Sequence, residues 1–252
     1  MKEICKAKLN LDLRVIAKRE DGYHQLVTTM SEINIGDVLT VLPATEDRFI
    51  CDLPSIAEDN LVMKALLLLR QIRKVPPLHI ILEKKIPIAS GMGGGSSNAA
   101  TFLSMVNREF SLALTKEELE TLAVQLGMDV TFFLYGGLVR AEGRGELLFP
   151  LEGKMGHALV VYRVPSSSKE VYEALTEEDI QRDCSNTLWD VALRINPKLR
   201  EFSTELQRLD PRFTMSGAGG SFFLLDHDLE TLEKYKTKID APFREIVELK
   251  LP

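Results

Sequence analysis

Residues 90–98 read Ser-Gly-Met-Gly-Gly-Gly-Ser-Ser-Asn. Glycine at this density frees the backbone for positive φ and lets a ligand approach the main chain closely. The run leads straight into a helical pattern over residues 99–107, with Phe102, Leu103 and Val106 on one side and Ser96-Ser97-Asn98 as candidate caps. A glycine loop that feeds a helix start presents unpaired N–H groups and the positive end of the helix dipole, which suits an anion and most often phosphate. It is not a P-loop, because no lysine follows the glycines, and it fits a dinucleotide fingerprint only loosely. The alternative is a flexible linker, but linkers do not run directly into an apolar helical pattern.

Other residues could complete such a site. Residues 4–16 alternate, with Leu9, Leu11 and Leu13 on one side and Lys8, Asn10 and Asp12 on the other. The polar side either meets solvent or lines a cleft; in the second case Lys8 and Asn10 stand about 7 Å apart, within reach of one ligand. Asp21-Gly22 marks a turn, and Tyr23 and His24 follow it. They serve packing, or they stack on and hydrogen-bond a flat heterocycle. Lys84 and Lys85 end a strand at 79–82, where they either neutralise an anion or remain solvated. Thr115-Lys116-Glu117-Glu118 is a capping box that opens a helix through Leu126, and Gly127 ends it. Asp129 then caps the next short helix or acts as a functional acid. A second glycine run, Ser216-Gly217-Ala218-Gly219-Gly220, precedes a strand at 222–225.

The elements holding these groups mix strands and helices. Strands are expected at 33–35, 38–42 and 49–51, and Asp59 or Asn60 caps a helix over 61–72. Strands at 139–141 and 147–151 flank the turn Glu142-Gly143-Arg144-Gly145. A second half starts near Gly153, with a strand at 158–162 and helices at 169–175, 187–195 and 197–209. Cys184-Ser185-Asn186 caps the second of those helices, and Pro197 fits the first turn of the third. A helix at 228–239 and a strand at 246–251 close the chain. The formal charge of -6 over 252 residues argues against a nucleic-acid partner held by phosphate contacts. Cys5, Cys51 and Cys184 show neither metal spacing nor a disulfide framework, which suits a reducing compartment. With no signal-peptide core and no apolar run of spanning length, a cytoplasmic protein is expected.

Lys8-Leu9-Asn10, residues 87–101 and Ser216-Gly217-Ala218-Gly219-Gly220 together resemble the three ordered motifs of the GHMP kinase superfamily, named for its galactokinase, homoserine kinase, mevalonate kinase and phosphomevalonate kinase members. Within it, Ala7-Lys8-Leu9-Asn10-Leu11, Asp21-Gly22-Tyr23-His24, Glu58-Asp59-Asn60-Leu61 and Ala141-Glu142-Gly143 most resemble the branch acting on 4-diphosphocytidyl-2-C-methyl-D-erythritol in non-mevalonate isoprenoid biosynthesis.

The resemblance implies an α+β, two-domain fold with the active site in the interdomain cleft, and domains expected at 1–152 and 153–252. It implies transfer of the ATP γ-phosphate to the 2-hydroxyl of the methylerythritol unit. Asp129 then matches the catalytic base, and Lys8 the lysine that orients base and alcohol. Ser90, Gly91, Met92, Gly93, Gly94, Gly95, Ser96, Ser97 and Asn98 would hold the nucleotide phosphates, with Asn60 and Lys84 near its base and ribose. Asn10, His24, Ser168, Gly217 and Gly219 match substrate-binding positions, and Tyr23 and Tyr172 match aromatic positions that sandwich the cytosine. Mg2+ is expected with the ATP, without assigned protein ligands. The implied partner is the small cytidine-diphosphate substrate rather than nucleic acid or membrane, for a monomer or homodimer. Lys6, Asp12, Ser90, Met92, Met128 and Thr131 depart from the pattern usual at their positions. A sister GHMP kinase, or a nucleotide-binding sensor without chemistry, is the alternative.

Overall fold

The alternating stretch at the N-terminus forms two strands rather than one: β1 (Lys2–Asn10) and β2 (Arg14–Lys18). Between them the Asp12 carboxylate accepts from Thr29 N at 2.6 Å and Thr29 Oγ at 2.8 Å. A short polar side chain that takes up ladder donors in this way breaks a strand locally. The computed structural model describes residues 1–53, 56 and 60–252. The candidate cap Asp59 lies outside the described residues; Asn60, the other candidate, caps the helix after it through Met63 N at 2.9 Å.

Along the chain there follow β3 (His24–Pro43), β4 (Arg48–Cys51), α1 (Leu61–Ile72), β5 (Leu78–Glu83), α2 (Gly94–Glu109), α3 (Lys116–Leu126), α4 (Met128–Tyr135), β6 (Leu138–Gly143) and β7 (Leu147–Pro150). Then come β8 (Lys154–Tyr162), α5 (Ser168–Glu173), α6 (Glu177–Gln181), α7 (Leu188–Ile195), α8 (Pro197–Leu209), β9 (Thr214–Met215), β10 (Ser221–Asp226), α9 (Leu229–Lys238) and β11 (Phe243–Leu251). The strands expected separately at 33–35 and 38–42 are one long strand. Gly36 does not turn the chain; it allows close approach. A Cβ there would lie 2.5 Å from the Cys5 carbonyl oxygen and 2.6 Å from Ile4 Cγ2. That is a second meaning of glycine inside a strand.

The chain divides into two compact units. The first comprises Met1–Ala7, Ile35–Ile86 and Gly93–Gly136. In it the second half of β3 pairs antiparallel with β5, from Val38 opposite Glu83 to Pro43 opposite Leu78, and β4 runs parallel to β5. Helices α1 to α4 pack on one another. Leu39, Val41, Leu66, Leu69, Phe102 and Leu103 lie in its core and are inaccessible to solvent.

The second unit comprises Lys8–Asn34, Pro87–Met92 and Gly137–Pro252. β8 lies between β10 and β11 with antiparallel pairing on both sides. The first half of β3 pairs with β2 and β6. Its core gathers Leu159, Val161, Phe202, Phe213 and Phe222 beneath α7, α8 and α9. Early segments thus join late ones, Lys8–Asn34 lying in one unit with Gly137–Pro252. α6 was not expected from the sequence, although Thr176 and Asp179 form a reciprocal capping box at its start.

Gly36→Ala is expected to destabilise the protein by about 1–3 kcal/mol, the usual range for forcing volume into a filled site. A urea denaturation midpoint equal to the parent's would contradict this reading of the close contact between β1 and β3.

Candidate active site

Three sequence-distant motifs meet within the second unit. Lys8 and Asn10, two apart on β1, turn the same way, and the Lys8 ammonium donates to Asn10 Oδ1 at 2.5 Å. Both side chains are almost fully buried. Asn10 also donates from Nδ2 to Thr28 Oγ at 2.8 Å, and its backbone N–H donates to Ser216 Oγ at 2.9 Å. The backbone N–H of Lys8 donates to the Met92 carbonyl at 3.1 Å. The end of β1 is therefore bonded both to the head of the first glycine run and to the second.

The two glycine runs also touch each other. A Cβ on Gly91 would lie 2.5 Å from the Gly219 carbonyl, and one on Gly220 would lie 2.6 Å from the Ala89 carbonyl. One on Gly217, whose φ is +59°, would lie 2.7 Å from Asn10 Oδ1. Only residues without side chains allow main chain to approach this closely. Gly219 closes a turn onto the Ser216 carbonyl, and a Cβ on it would meet Ser166 Oγ at 3.1 Å. Ser90 is buried, and its hydroxyl accepts from Met92 N at 3.4 Å; the Met92 side chain is wholly buried.

Asn186 was read only as a cap. It does accept from Leu188 N at 3.0 Å, but its Nδ2 also donates to the Met215 and Gly217 carbonyls at 3.0 and 2.9 Å. It fixes the second glycine run from behind. No spacing rule reveals such a residue, because its partners lie far along the chain.

The aromatic residues of this unit pair differently from the sandwich expectation. His24 stacks on Tyr172, with ring centroids 5.4 Å apart and an interplanar angle of 28°. Tyr23 is half exposed at the tip of the β2–β3 turn, and the Arg144 guanidinium lies 5.0 Å from its ring centroid. Burial, aided by the Lys18 charge, lowers the His24 pKa. That favours the neutral imidazole, which offers one donor and one acceptor. Ser168 opens α5 and is exposed, while the neighbouring Ser167 caps that helix through Glu170 N at 3.3 Å.

The first unit carries the rest of the glycine run. α2 starts at Gly94, not at Ala99, and its cap is Gly93 in the left-handed conformation. Ser97 and Asn98 are buried inside the helix and do not cap it, which corrects the expectation. The first helical bond runs from Ser97 N to the Gly93 carbonyl at 2.9 Å. The amides of Gly94, Gly95 and Ser96 precede it, so they are the ones a helix leaves for an external acceptor.

Lys84 does not stand in solvent. Its ammonium pairs with the wholly buried carboxylate of Asp37 and donates to Asn98 Oδ1 at 3.2 Å. Asp37 was not singled out from the sequence; a carboxylate at a buried strand position beside Gly36 was its signal. Burial pushes the Cys5 thiol, whose sulfur meets Asn98 and Thr101, up to about 11. Asn60 is buried, and its Oδ1 is occupied in capping α1.

Asp129 sits in the first turn of α4, whose cap is Gly127 rather than Asp129 itself. A partly exposed carboxylate there complements the helix dipole. Asp129 and Thr131 share this short helix, and the Thr131 hydroxyl is buried. Among the described residues no group of three or more His, Cys, Asp or Glu side chains is placed to hold a metal ion. No helix of the described residues is long and apolar enough to cross a membrane.

Residues 60–137 match the family described as GHMP kinases N terminal domain. The chain is 37% identical over 250 residues to 4-diphosphocytidyl-2-C-methyl-D-erythritol kinase of Francisella tularensis subsp. holarctica, covering 94% of this chain and 91% of that protein. It is 35% identical over 252 residues to the protein of the same name from Persephonella marina, covering 90% and 92%. A crystal structure of 4-(cytidine 5'-diphospho)-2C-methyl-D-erythritol kinase superposes with a TM-score of 0.85 at 30% identity, over 100% of both chains. Mevalonate kinase of Methanococcus jannaschii shares the fold, with a TM-score of 0.66 at 14% identity, over 100% of this chain and 98% of the other. With this identity spread over nearly the whole of both proteins, and with Lys8-Leu9-Asn10 bonded to both glycine runs, the chain belongs to the 4-diphosphocytidyl-2-C-methyl-D-erythritol kinase family of the GHMP kinases.

Proposed function

We propose that this chain phosphorylates the 2-hydroxyl of 4-diphosphocytidyl-2-C-methyl-D-erythritol with ATP, as a cytoplasmic enzyme of isoprenoid precursor synthesis. The observation that carries the reading is the junction of Lys8, Asn10, Met92 and Ser216, which binds the three motifs into one unit. Such a junction serves phosphoryl transfer, where catalysis is mostly positioning and charge stabilisation.

In the proposed reaction the alcohol oxygen forms a bond to the γ-phosphorus. The bond from that phosphorus to the bridging oxygen breaks, and its electrons leave on ADP. The hydroxyl proton passes to the Asp129 carboxylate, since a tertiary alcohol is a poor nucleophile without a base. The Lys8 ammonium, already held by Asn10, steadies charge on the alcohol oxygen. Amides between Ser90 and Asn98 receive the triphosphate. Mg2+, when bound, would accompany the triphosphate and offset its charge, as that ion usually does with few protein ligands. Asn60 and Lys84 stand near the nucleoside in this reading. Asn10, Ser168, Gly217 and Gly219 face the second substrate. The His24 edge reads cytosine between Tyr23 and Tyr172, which requires Tyr172 to leave the imidazole face it now covers.

The test is to offer purified protein ATP with the cytidine-diphosphate substrate, mevalonate and homoserine in parallel. Release of ADP with the first alone is expected. Turnover only with one of the others would make it a sister kinase, and ATP binding with no turnover would make it a sensor. Asp129→Asn is expected to lower kcat by about two or more orders of magnitude, within the general-base range; near-normal turnover would remove Asp129 from its role. Tyr23→Ala is expected to raise KM for the cytidine substrate about tenfold while kcat changes little, the loss typical of one stacking platform. An unchanged KM would refute the stacking role.

A further inference from the structure

We infer that Asp37 is a positioning residue for the nucleotide, acting through the segments at either end of the first glycine run. The inference rests on the reading of residues 90–98 as the triphosphate site. Asp37 lies in the middle of β3, and its side chain is wholly buried. A buried carboxylate is costly unless every lone pair is used. Here each oxygen has two partners. Oδ1 accepts from the backbone N–H groups of Lys85 and Ile86, both at 2.8 Å. Oδ2 accepts from Asn98 Nδ2 at 2.9 Å and from the Lys84 ammonium.

These partners are not scattered. Lys84, Lys85 and Ile86 lead into the glycine run, and Asn98 lies in the second turn of α2, beyond its end. One carboxylate therefore ties the segment that leads into the run to the helix that its last residues form. Lys84 completes the clamp by donating to Asn98 Oδ1 at 3.2 Å. Its ammonium also lies 3.1 Å from where a Cβ on Gly94 would be, directly against the first turn of α2. Asp37 thus places a cation against Gly94 and holds, at Asn98, the helix whose first turn carries the amides of Gly94, Gly95 and Ser96. Preorganised donors of this kind lose their value when they are misplaced by about an ångström. Neither the segment after β5 nor α2 could hold this geometry alone, because each contributes only part of the bonding.

Asp37→Asn keeps the shape and an acceptor for the two backbone amides. It removes the charge opposite Lys84 and directs an N–H group at the Asn98 amide nitrogen or the Lys84 ammonium. Titration calorimetry with ATP alone and steady-state kinetics are run on parent and variant, with the thermal midpoint recorded. ATP Kd and KM are expected to rise about tenfold, a tenfold loss being a typical result of disturbing a site's supporting hydrogen bonds. KM for the alcohol substrate is expected to stay within about twofold, because Asp37 touches only segments of the nucleotide site. A lower thermal midpoint with unchanged ATP affinity would make Asp37 purely structural and overturn the inference, as would equal losses for both substrates. Should Asp37→Asn fail to fold, Asp37→Asn/Lys84→Gln is compared with Lys84→Gln, so that any direct contact of Lys84 with the nucleotide cancels. A further loss of ATP affinity is expected in the double variant, and equal affinity overturns the inference. A parent that binds ATP without phosphorylating any alcohol still lets the Kd comparison decide, whereas a parent that does not bind ATP overturns both readings.

Discussion

Main chain packed on main chain is the constraint that organises the second unit. Gly91 lies against the Gly219 carbonyl, and Gly220 against the Ala89 carbonyl. Each contact is closer than a Cβ would allow. The two glycine runs are usually thought of as loops that free the chain. Here the contacts do the opposite: they let two segments more than a hundred residues apart lock together, with β1 bonded to both through Lys8 N–H and Asn10 N–H. The cost is backbone entropy, which glycine loses more of than any other residue on ordering. Hydrogen bonds from behind offset part of it, notably those that Asn186 and Ser166 donate to the carbonyls of Met215, Gly217 and Ala218.

The first unit solves the same problem with charge. Its portion of the glycine run is continuous with α2, so the orientation of the first-turn amides follows from the helix, and the helix is held at Asn98 by Asp37 and Lys84. Lys84 is the one cation among these contacts, and Asp37 neutralises it. The chain as a whole carries -6. An anion arriving at α2 would therefore be met chiefly by oriented dipoles, not by net positive charge. Dipoles in fixed directions need no reorganisation when charge moves during transfer, which is the advantage such sites have over mobile lysines.

Local signals were legible in the sequence and non-local ones were not. The capping box at Thr115 and Glu118, the Asn60 cap, Pro197 at the first turn of α8 and the alternation that puts Lys8 beside Asn10 all depend on neighbours within four residues. Each is recovered where the pattern placed it. The family motifs were legible for the same reason, being short and contiguous. The strands at 33–35 and 38–42 were expected apart, with Gly36 and Asp37 between them. What settles the role of Gly36 is the Cys5 carbonyl, thirty-one residues earlier. Asp37 escaped notice, and Asn186 was read only as a cap, because their other partners come from distant elements, and no period of 2 or 3.6 encodes those partners. The interleaving of the two units is equally invisible to a reading in chain order, since Lys8–Asn34 joins Gly137–Pro252 only through pairing in space.

The departures from the family pattern sort by the same distinction. Asp12 has both carboxylate oxygens engaged by Thr29, between the end of β1 and the start of β2. Met92 is wholly buried, and its backbone carbonyl, not its side chain, receives the Lys8 N–H. Ser90 is buried with its hydroxyl turned to Met92 N–H. In these three the main-chain groups that define the motif remain in place while the side chain is absorbed by packing or by a local bond. Thr131 differs in kind. It stands in α4 two residues from Asp129, and where the resemblance implies proline it keeps a backbone N–H in that helix. A helix that keeps this donor is free to continue regular hydrogen bonding through its first turns, the part of α4 from which Asp129 projects.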